Sequence, residues 1–316
     1  MARPIKTVTV DVMAIDEPVP GVKRFVLADP DGWTLPAFRP GAHIDVHLVP
    51  HLVRTYSLCN DPADDARYVI AVKVEPTGRG GSRTMHEQLK VGSRIGVSLP
   101  RAGISIIEDG LNVFIAGGIG ITPFISAILD MERRGKSNYI LHWSSMGRPS
   151  LLDMLGDSKA AGRVRLYDTL VDPLPDISGI VAEAGSQGKA FCCGPAAMLD
   201  AFEAAVSEWP QERKHVERFT APKLPANPID QPYELVLARS GRQMSVNSGV
   251  SLQDALEELD ADVSISCGGG ICGACRTHWI EGPPVHRDRV LSDAERAHDV
   301  MVCVAGCAGS RLVLDL

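Results

Sequence analysis

Ser266-Cys-Gly-Gly-Gly-Ile-Cys-Gly-Ala-Cys275 places three cysteines and four glycines in ten residues, near the C-terminal end of a 316-residue chain. The thiols fall as Cys267-x4-Cys272-x2-Cys275, and 27 residues separate the last of them from Cys303. Four thiolates so spaced match the plant-type ligand pattern of a [2Fe-2S] cluster. The glycines serve the same end, because a loop wrapped around a cluster needs positive φ values and close backbone approach, with amide N–H groups turned toward sulfur. A structural zinc favours Cys-x2-Cys pairs, and only Cys272 and Cys275 have that spacing. Buried free cysteine accounts for single residues such as Cys59 but not for a glycine-embedded triplet. A Rieske centre needs two histidines with two cysteines; His278 stands near Cys275, but the chain has no Cys-x-His, so His278 reads as a surface residue. The fourth ligand lies between Cys303 and Cys307. Cys303 is preferred, since the apolar run Val300–Val304 pins its thiol at a fixed point.

Upstream of this loop, prolines 222, 225, 228 and 232 in a stretch poor in large apolar residues read as a linker over 223–232. The segment after it, 233–316, holds a strand pair (Tyr233–Ala238 and Gln243–Val246), a short helix (Leu252–Leu259) and a closing strand (Arg311–Leu316). Before the linker the pattern has two grammars. Residues 1–104 carry short β-rich runs, Thr7–Val12, Arg24–Leu27, Ile44–Leu48, Arg54–Leu58, Tyr68–Val74 and Arg94–Leu99, with one helix near Ser82–Leu89. Such spacing with Pro/Gly punctuation predicts an antiparallel β-barrel. Residues 105–222 alternate strands (Leu111–Ala116, Asn138–Trp143, Val164–Tyr167, Lys189–Cys193) with helices (Pro123–Arg134, one near Leu151, Ala196–Trp209), which predicts an α/β domain on a parallel sheet.

Bulk properties agree with several domains, since 316 residues exceed what one core usually serves. The composition, 45% hydrophobic and 22% charged, is that of a globular protein. A net charge of -7 argues against nucleic-acid binding. The first residues alternate like a strand rather than forming the apolar core of a signal peptide, and no apolar run approaches the roughly 18 residues of a membrane span. The expectation is a cytoplasmic protein with no membrane partner, in which eight cysteines stay reduced and clustered ones bind metal.

Three motifs suggest nucleotide chemistry. Ala116-Gly-Gly-Ile-Gly-Ile-Thr-Pro123 lies between a buried strand and a helix, where glycines let the backbone approach a diphosphate and the helix N-terminus offers free N–H groups. Thr122 is expected as N-cap and Pro123 as the first helical residue. Because Pro123 replaces the last glycine of G-x-G-x-x-G, the motif is not a standard Rossmann fingerprint. Arg54-Thr-Tyr-Ser-Leu58 puts Arg54 and Tyr56 on one strand face, suiting an anionic group beside a planar ring. Thr77-Gly-Arg-Gly-Gly-Ser-Arg-Thr84, with Arg79 and Ser82, is a glycine-rich turn running into a helix and suits phosphate.

In this order, Arg54-Thr-Tyr-Ser57, Gly80-Gly-Ser82, Gly117-Gly-Ile-Gly120, Cys193-Gly-Pro195, Glu217-Arg-Phe219 and the cysteine triplet, the chain resembles the phthalate dioxygenase reductase family over nearly its whole length. The resemblance implies a ferredoxin-reductase-like module fused to a β-grasp ferredoxin domain. It implies that Arg54, Thr55, Tyr56 and Ser57 contact flavin, with Ser57 near N5 and Val72 and Lys73 as further contacts. Gly80, Gly81, Ser82 and Thr84 would hold the flavin phosphate. Gly117, Gly118, Gly120, Thr122 and Pro123 would serve NADH, Cys193, Gly194 and Pro195 would lie by the nicotinamide, and Phe219 near the flavin ring. Ser57, Cys193 and Phe219 are thus the residues expected at the reacting atoms. Apart from the resemblance, Tyr167-Asp168 at a strand end of the second domain reads either as a contact to the adenosine ribose, through Asp168, or as a surface turn. FMN is implied in preference to FAD, and the metal ligands are Cys267, Cys272, Cys275 and Cys303. Electron counting supports this order of cofactors: NADH yields two electrons as hydride, the cluster takes one at a time, and a flavin exchanges both ways. The partner implied is a Rieske-type oxygenase; a reductase serving a cytochrome P450 or a diffusible carrier, and a non-enzymatic redox sensor, are the rival readings.

Overall fold

The computed structural model describes residues 7–49, 52–78, 80–156, 162–219 and 231–316. Arg79, Pro222 and most of the expected linker, including prolines 225 and 228, lie outside them. The chain divides into two compact units, one of Met1–Leu48 with Thr55–Phe219 and one of Val49–Arg54 with Thr220–Leu316.

The first strands are β1 (Thr7–Val19), β2 (Val22–Ala28), β3 (His43–Val49), β4 (Leu52–Ser57), β5 (Tyr68–Lys73) and β6 (Arg94–Ser98). They form one sheet in the order β4-β3-β6-β1-β2-β5, antiparallel from β3 through β5. It closes on itself where Leu58, just past β4, bridges Ile70 of β5 and Cys59 N–H reaches Val69 O at 2.7 Å. Strand alternation sends Val10, Val12, Phe25, Leu27, Ile44, Val46, Ile70 and Val97 inward, and Met85 of helix α1 (Gly81–Gln88) packs into the same core. β1 runs seven residues beyond the expected Val12, because register shifts at Val12/Ala14 and Asp16/Val19 bend it around the closed sheet.

The parallel sheet contains β7 (Asn112–Gly117), β8 (Tyr139–Ser145), β9 (Val164–Asp168), β10 (Lys189–Cys193) and β11 (Lys214–Glu217) in the order β11-β10-β7-β8-β9. The inner strands β7, β8 and β10 are buried along almost their whole length because both faces are covered. Helix α2 (Thr122–Arg133) packs on one face around Phe114, Phe124, Leu141 and Phe191. Helices α3 (Ile177–Ala182) and α4 (Ala196–Ala205) pack on the other, around Val113, Ile115, Ile180, Leu199 and Phe202. Cys59, Val69, Ala71 and Ile104 from the barrel side join the first of these cores, so the barrel and the sheet are continuous in packing. Strand order advances from β7 to β9 and then reverses, which puts the topological switch point between β7 and β10.

Several expectations change here. The region after Leu151 makes only a 3-10 turn, Leu152–Leu155, ended by Gly156 at φ 68°. Helix α4 stops at Ala205 rather than Trp209, whose ring instead lies under the Arg213 guanidinium at 4.3 Å. Thr122 is not an N-cap: a 3-10 turn over Gly118–Ile121 runs straight into α2, so Ile121 is the cap, Thr122 is the first helical residue and Pro123 the second. The Thr122 hydroxyl donates back to Ile119 O at 3.1 Å instead of accepting an N–H.

The C-terminal domain is α+β, with β12 (Tyr233–Leu237), β13 (Gln243–Val246), β14 (Arg276–Glu281), β15 (Pro284–Val285), β16 (Asp299–Met301), β17 (Gly306–Cys307) and β18 (Arg311–Leu314). The main sheet runs β13-β12-β18-β14-β16, parallel only between β12 and β18, and β15 pairs β17 separately. Helix α5 (Leu252–Glu258) is capped by Ser251, whose Oγ accepts Asp254 N–H at 3.1 Å, and buries Leu252, Ala255 and Leu256. The short helix α6 (Asp293–Arg296) opens with a capping box of Ser292 and Glu295. Among the described residues, no helix is long and apolar enough to cross a membrane.

Phe114 has no exposure and stands at the centre of an aromatic cluster, with Phe191 at 4.9 Å and Phe124 at 5.2 Å between ring centroids. Phe114→Ala is expected to destabilise the first unit by about 3–5 kcal/mol. The check is a lowered urea midpoint at unchanged slope.

Candidate redox centres

The cysteine loop follows α5 and precedes β14. Gly268, Gly270 and Gly273 take φ values of 63°, 67° and 77°, the left-handed region that side chains resist. Gly269 N–H points at Cys267 Sγ from 3.4 Å. The thiols meet in pairs: Cys267 with Cys272, Cys275 with Cys303, and Cys267 across to Cys303. Hydrogen bonds from Cys272 and Cys303 hold the Cys267 thiol well below its ordinary range, and the bond from Cys303 lowers Cys275. Cys272 and Cys303, the donors, are pushed up. Cys307 does not join them; its thiol is engaged with Gly309 O at 3.4 Å and Arg311 O at 3.3 Å. His278 stays apart too, exposed on β14 with Asp299 at 3.5 Å.

Among the described residues, no group of three or more His, Cys, Asp or Glu converges as around a single ion. Linked in the order Cys272–Cys267–Cys303–Cys275, the four thiols gather together, and four cysteine thiolates are the donor set of a [2Fe-2S] centre. The donor chemistry fits a [2Fe-2S] centre.

At the switch point the backbones of two turns touch. A Cβ on Gly117 would lie 2.4 Å from Pro195 Cδ, and one on Gly120 would lie 2.2 Å from Cys193 O. A Cβ on Gly194 would meet Met198 Sδ at 2.7 Å and Gly117 Cα at 3.1 Å. Gly117, Gly120 and Gly194 are therefore needed for packing between motifs. Gly118 differs: at φ 54° it faces open space, and its carbonyl accepts the buried Trp143 Nε1–H at 3.0 Å. Trp143 was not among the expected site residues; its place at the end of a buried strand beside the glycine motif is the only signal for it. Cys193 is buried at 1% exposure, and burial pushes its thiol well above the ordinary range, so it stays protonated and offers shape rather than acid–base chemistry. Phe219, two residues past β11, is 46% exposed and available for ring contact.

Asp168 ends β9 on the same C-terminal edge of the sheet. Its Oδ1 accepts Gly147 N–H at 2.9 Å and Leu170 N–H at 3.0 Å, bonds that lower its pKa. Tyr167 is turned to the neighbouring strand, where its hydroxyl lies 2.8 Å from His142 Nδ1.

On β4 the alternation places Arg54 and Tyr56 on one face and Thr55 and Ser57 on the other. Arg54 Nη1 donates to Val53 O at 2.7 Å. Thr55 Oγ1 donates to Asp45 Oδ1 at 2.7 Å; burial raises that carboxyl, but the Arg101 guanidinium outweighs it and lowers the pKa. Ser57 is buried at the strand's end. Val72 is in the barrel core, its carbonyl 2.8 Å from His86 Nε2 of α1, whereas Lys73 is exposed. Gly80 caps α1 at φ 86°, and Ser82 Oγ accepts Glu75 N–H at 2.9 Å, closing the turn. Thr84 N–H is bonded to Gly80 O at 2.9 Å, which leaves the earlier N–H groups of Gly81 and Ser82 at a helix end without acidic residues. That end fits a phosphate. A separate cleft of about 500 Å³, lined by Phe38, Arg39, Pro100 and Gly103 among others, contains none of the expected site residues.

A closed antiparallel barrel, a parallel sheet with a glycine switch point, and a four-thiol domain define an electron-transfer oxidoreductase. Residues 235–307 match the family described as a 2Fe-2S iron-sulfur cluster binding domain. The chain is 40% identical to the phenoxybenzoate dioxygenase subunit beta of Ectopseudomonas oleovorans, over 100% of this chain and 99% of that protein. It is 36% identical to the tetrachlorobenzoquinone reductase of Sphingobium chlorophenolicum, over the full length of both. A solved phthalate dioxygenase reductase, described as a modular structure for electron transfer from pyridine nucleotides to [2Fe-2S], superposes with a TM-score of 0.73 at 31% identity, covering 98% of each chain. The chain belongs to the phthalate dioxygenase reductase family.

Gly120→Ala forces Cys193–Gly194 away from the β7 turn. It is expected to weaken pyridine nucleotide binding on the order of tenfold, about 1.4 kcal/mol, as read by calorimetric titration.

Proposed function

We propose that this protein is the NADH-dependent reductase component of a two-component Rieske-type oxygenase system. NADH, FMN and a [2Fe-2S] centre supply hydride donation, the change from two-electron to one-electron transfer, and delivery to the oxygenase. The cysteine set Cys267, Cys272, Cys275 and Cys303, within the stretch that matches the 2Fe-2S cluster binding domain, carries the reading. The redox chain is then spread over residues 1–104, 105–222 and 233–316, joined by a linker at 223–232.

In this reading the chain's own residues bind, orient and exclude. Gly81, Ser82 and Thr84, with the Gly80 cap, hold the flavin phosphate at the start of α1, and Arg54 and Tyr56 present charge and ring from one face of β4. Thr55, Ser57, Val72 and Lys73 belong to strands that shape the flavin side of the barrel. Gly118, Thr122 and Pro123 take the dinucleotide diphosphate, while Gly117, Gly120, Gly194 and Pro195 set the narrow gap beside the nicotinamide. Cys193 stays neutral and lends bulk, Phe219 offers an exposed ring, and Asp168 holds the turn after β9 with a carboxylate that suits ribose hydroxyls and opposes a ribose phosphate. Support for an oxygenase partner comes from the phenoxybenzoate dioxygenase subunit. The quinone reductase relative favours a second reading, in which the same chain of centres serves a small organic acceptor.

Absorption spectra of the purified protein before and after NADH, with the released flavin identified by chromatography, test the reading. A bleached flavin and reduced iron–sulfur bands are expected. A colourless, zinc-containing preparation after iron-replete anaerobic expression would refute it. Steady-state assays with a Rieske oxygenase and with a benzoquinone separate the two acceptors. At the cluster, Cys303→Ser is expected to remove most iron–sulfur absorbance, whereas Cys307→Ser leaves it in place.

A further inference from the structure

Three consecutive glycines, Gly268–Gly270, make the backbone of the cysteine loop permissive. Its stiffness comes from a second turn. Asp288 lies between β15 and α6 with its side chain only 1% exposed. Its Oδ2 accepts Val290 N–H at 3.1 Å and Leu291 N–H at 2.8 Å, folding the chain back on itself. Arg296 Nη2 lies 3.6 Å from the same oxygen and donates to Asp288 O at 3.0 Å, and His286 Nδ1 stands 3.8 Å from Oδ1. Leu291 anchors the turn in the domain core.

The cysteine loop rests against this turn. Arg289 N–H donates to Gly270 O at 3.0 Å. A Cβ on Gly270 would lie 2.9 Å from Asp288 Cα and 2.8 Å from Val304 Cγ2, and one on Gly273 would lie 3.8 Å from Val290 Cγ1. Gly270 is thus wedged between the Asp288 turn and the neighbour of Cys303, which ties the first three cysteines to the fourth.

We propose that Asp288 is a positioning residue for the iron–sulfur centre, its buried carboxylate shaping the turn on which Gly270 and Gly273 are seated. The proposal rests on the [2Fe-2S] reading given above. It identifies an outer residue that holds the ligand loop without touching a thiol. A carboxylate suits the place because one oxygen accepts two N–H bonds with charge assistance while Arg296 balances the charge.

The test uses the full-length protein loaded with its cluster, and reads bleaching by an iron chelator together with the electron paramagnetic resonance lines of the dithionite-reduced state. Asp288→Ala is expected to bleach roughly 10- to 100-fold faster, with broadened lines, as loss of an outer partner does in other metal sites. Asp288→Asn keeps an acceptor for Val290 and Leu291 and is expected to restore the lines and most of the slow bleaching. Arg296→Gln should fall between. Wild-type lines and bleaching in Asp288→Ala would overturn the proposal, as would an Asp288→Asn protein no better than the alanine variant. If Asp288→Ala does not fold, wild-type behaviour of Arg296→Gln overturns it equally. A wild-type protein without iron–sulfur lines would instead defeat the cluster reading, and the brace with it.

Discussion

The contact on which the first unit depends is between two backbones: Gly117 and Gly120 at the end of β7 against Cys193-Gly194-Pro195 at the end of β10. Parallel pairing sets Ala116 opposite Cys193, so the turns leave the sheet side by side. With spacings of 2.2–2.4 Å to a hypothetical Cβ, no side chain fits at Gly117 or Gly120 without moving a strand end. Closing that gap places Gly118 against open space and turns the N-terminal end of α2 toward the switch point. The buried Trp143 indole ties the turn to β8 by donating to Gly118 O.

The C-terminal domain solves a related problem by different means. Its ligand loop needs positive φ at three glycines, so the loop cannot stiffen itself through side-chain packing. The β15–α6 segment provides the missing rigidity by folding around Asp288 and presenting a backbone donor to Gly270. In both places the protein positions groups and excludes others, while the cofactors supply the chemistry. The buried, protonated Cys193 illustrates the division, since it contributes volume and no proton.

Much of this was legible in the residues. The glycine-embedded triplet reads as a ligand loop; in the structure the Cys303 thiol meets Cys267 and Cys275, and Cys307 bonds to Gly309 O and Arg311 O. Long apolar runs such as Lys189–Cys193 read as buried strands because both faces of the parallel sheet are covered. Other elements were invisible. β11 is four residues of mixed polarity, Lys214–Glu217, and becomes a strand only because β10 offers an unpaired edge. β14, Arg276–Glu281, carries charges at both ends and is held by β16 and β18 from 18 or more residues away. The start of α2 was misplaced because capping rules describe a helix entered from extended chain, and here the entry is a 3-10 turn.

The sequence alone determined which residue types are gathered at each centre: thiols at set spacing, glycines where the chain must bend or approach closely, and apolar periodicity in strands and helices. These are local properties, written within about ten residues of one another. Tertiary structure decided which distant groups meet them. The approach of Cys303 to Cys267, the bond of Trp143 to Gly118, and Asp288 behind Gly270 all depend on strand pairing and core packing between segments far apart in the chain. No local pattern encodes such meetings, because their energy comes from contacts that exist only once the sheet order is set.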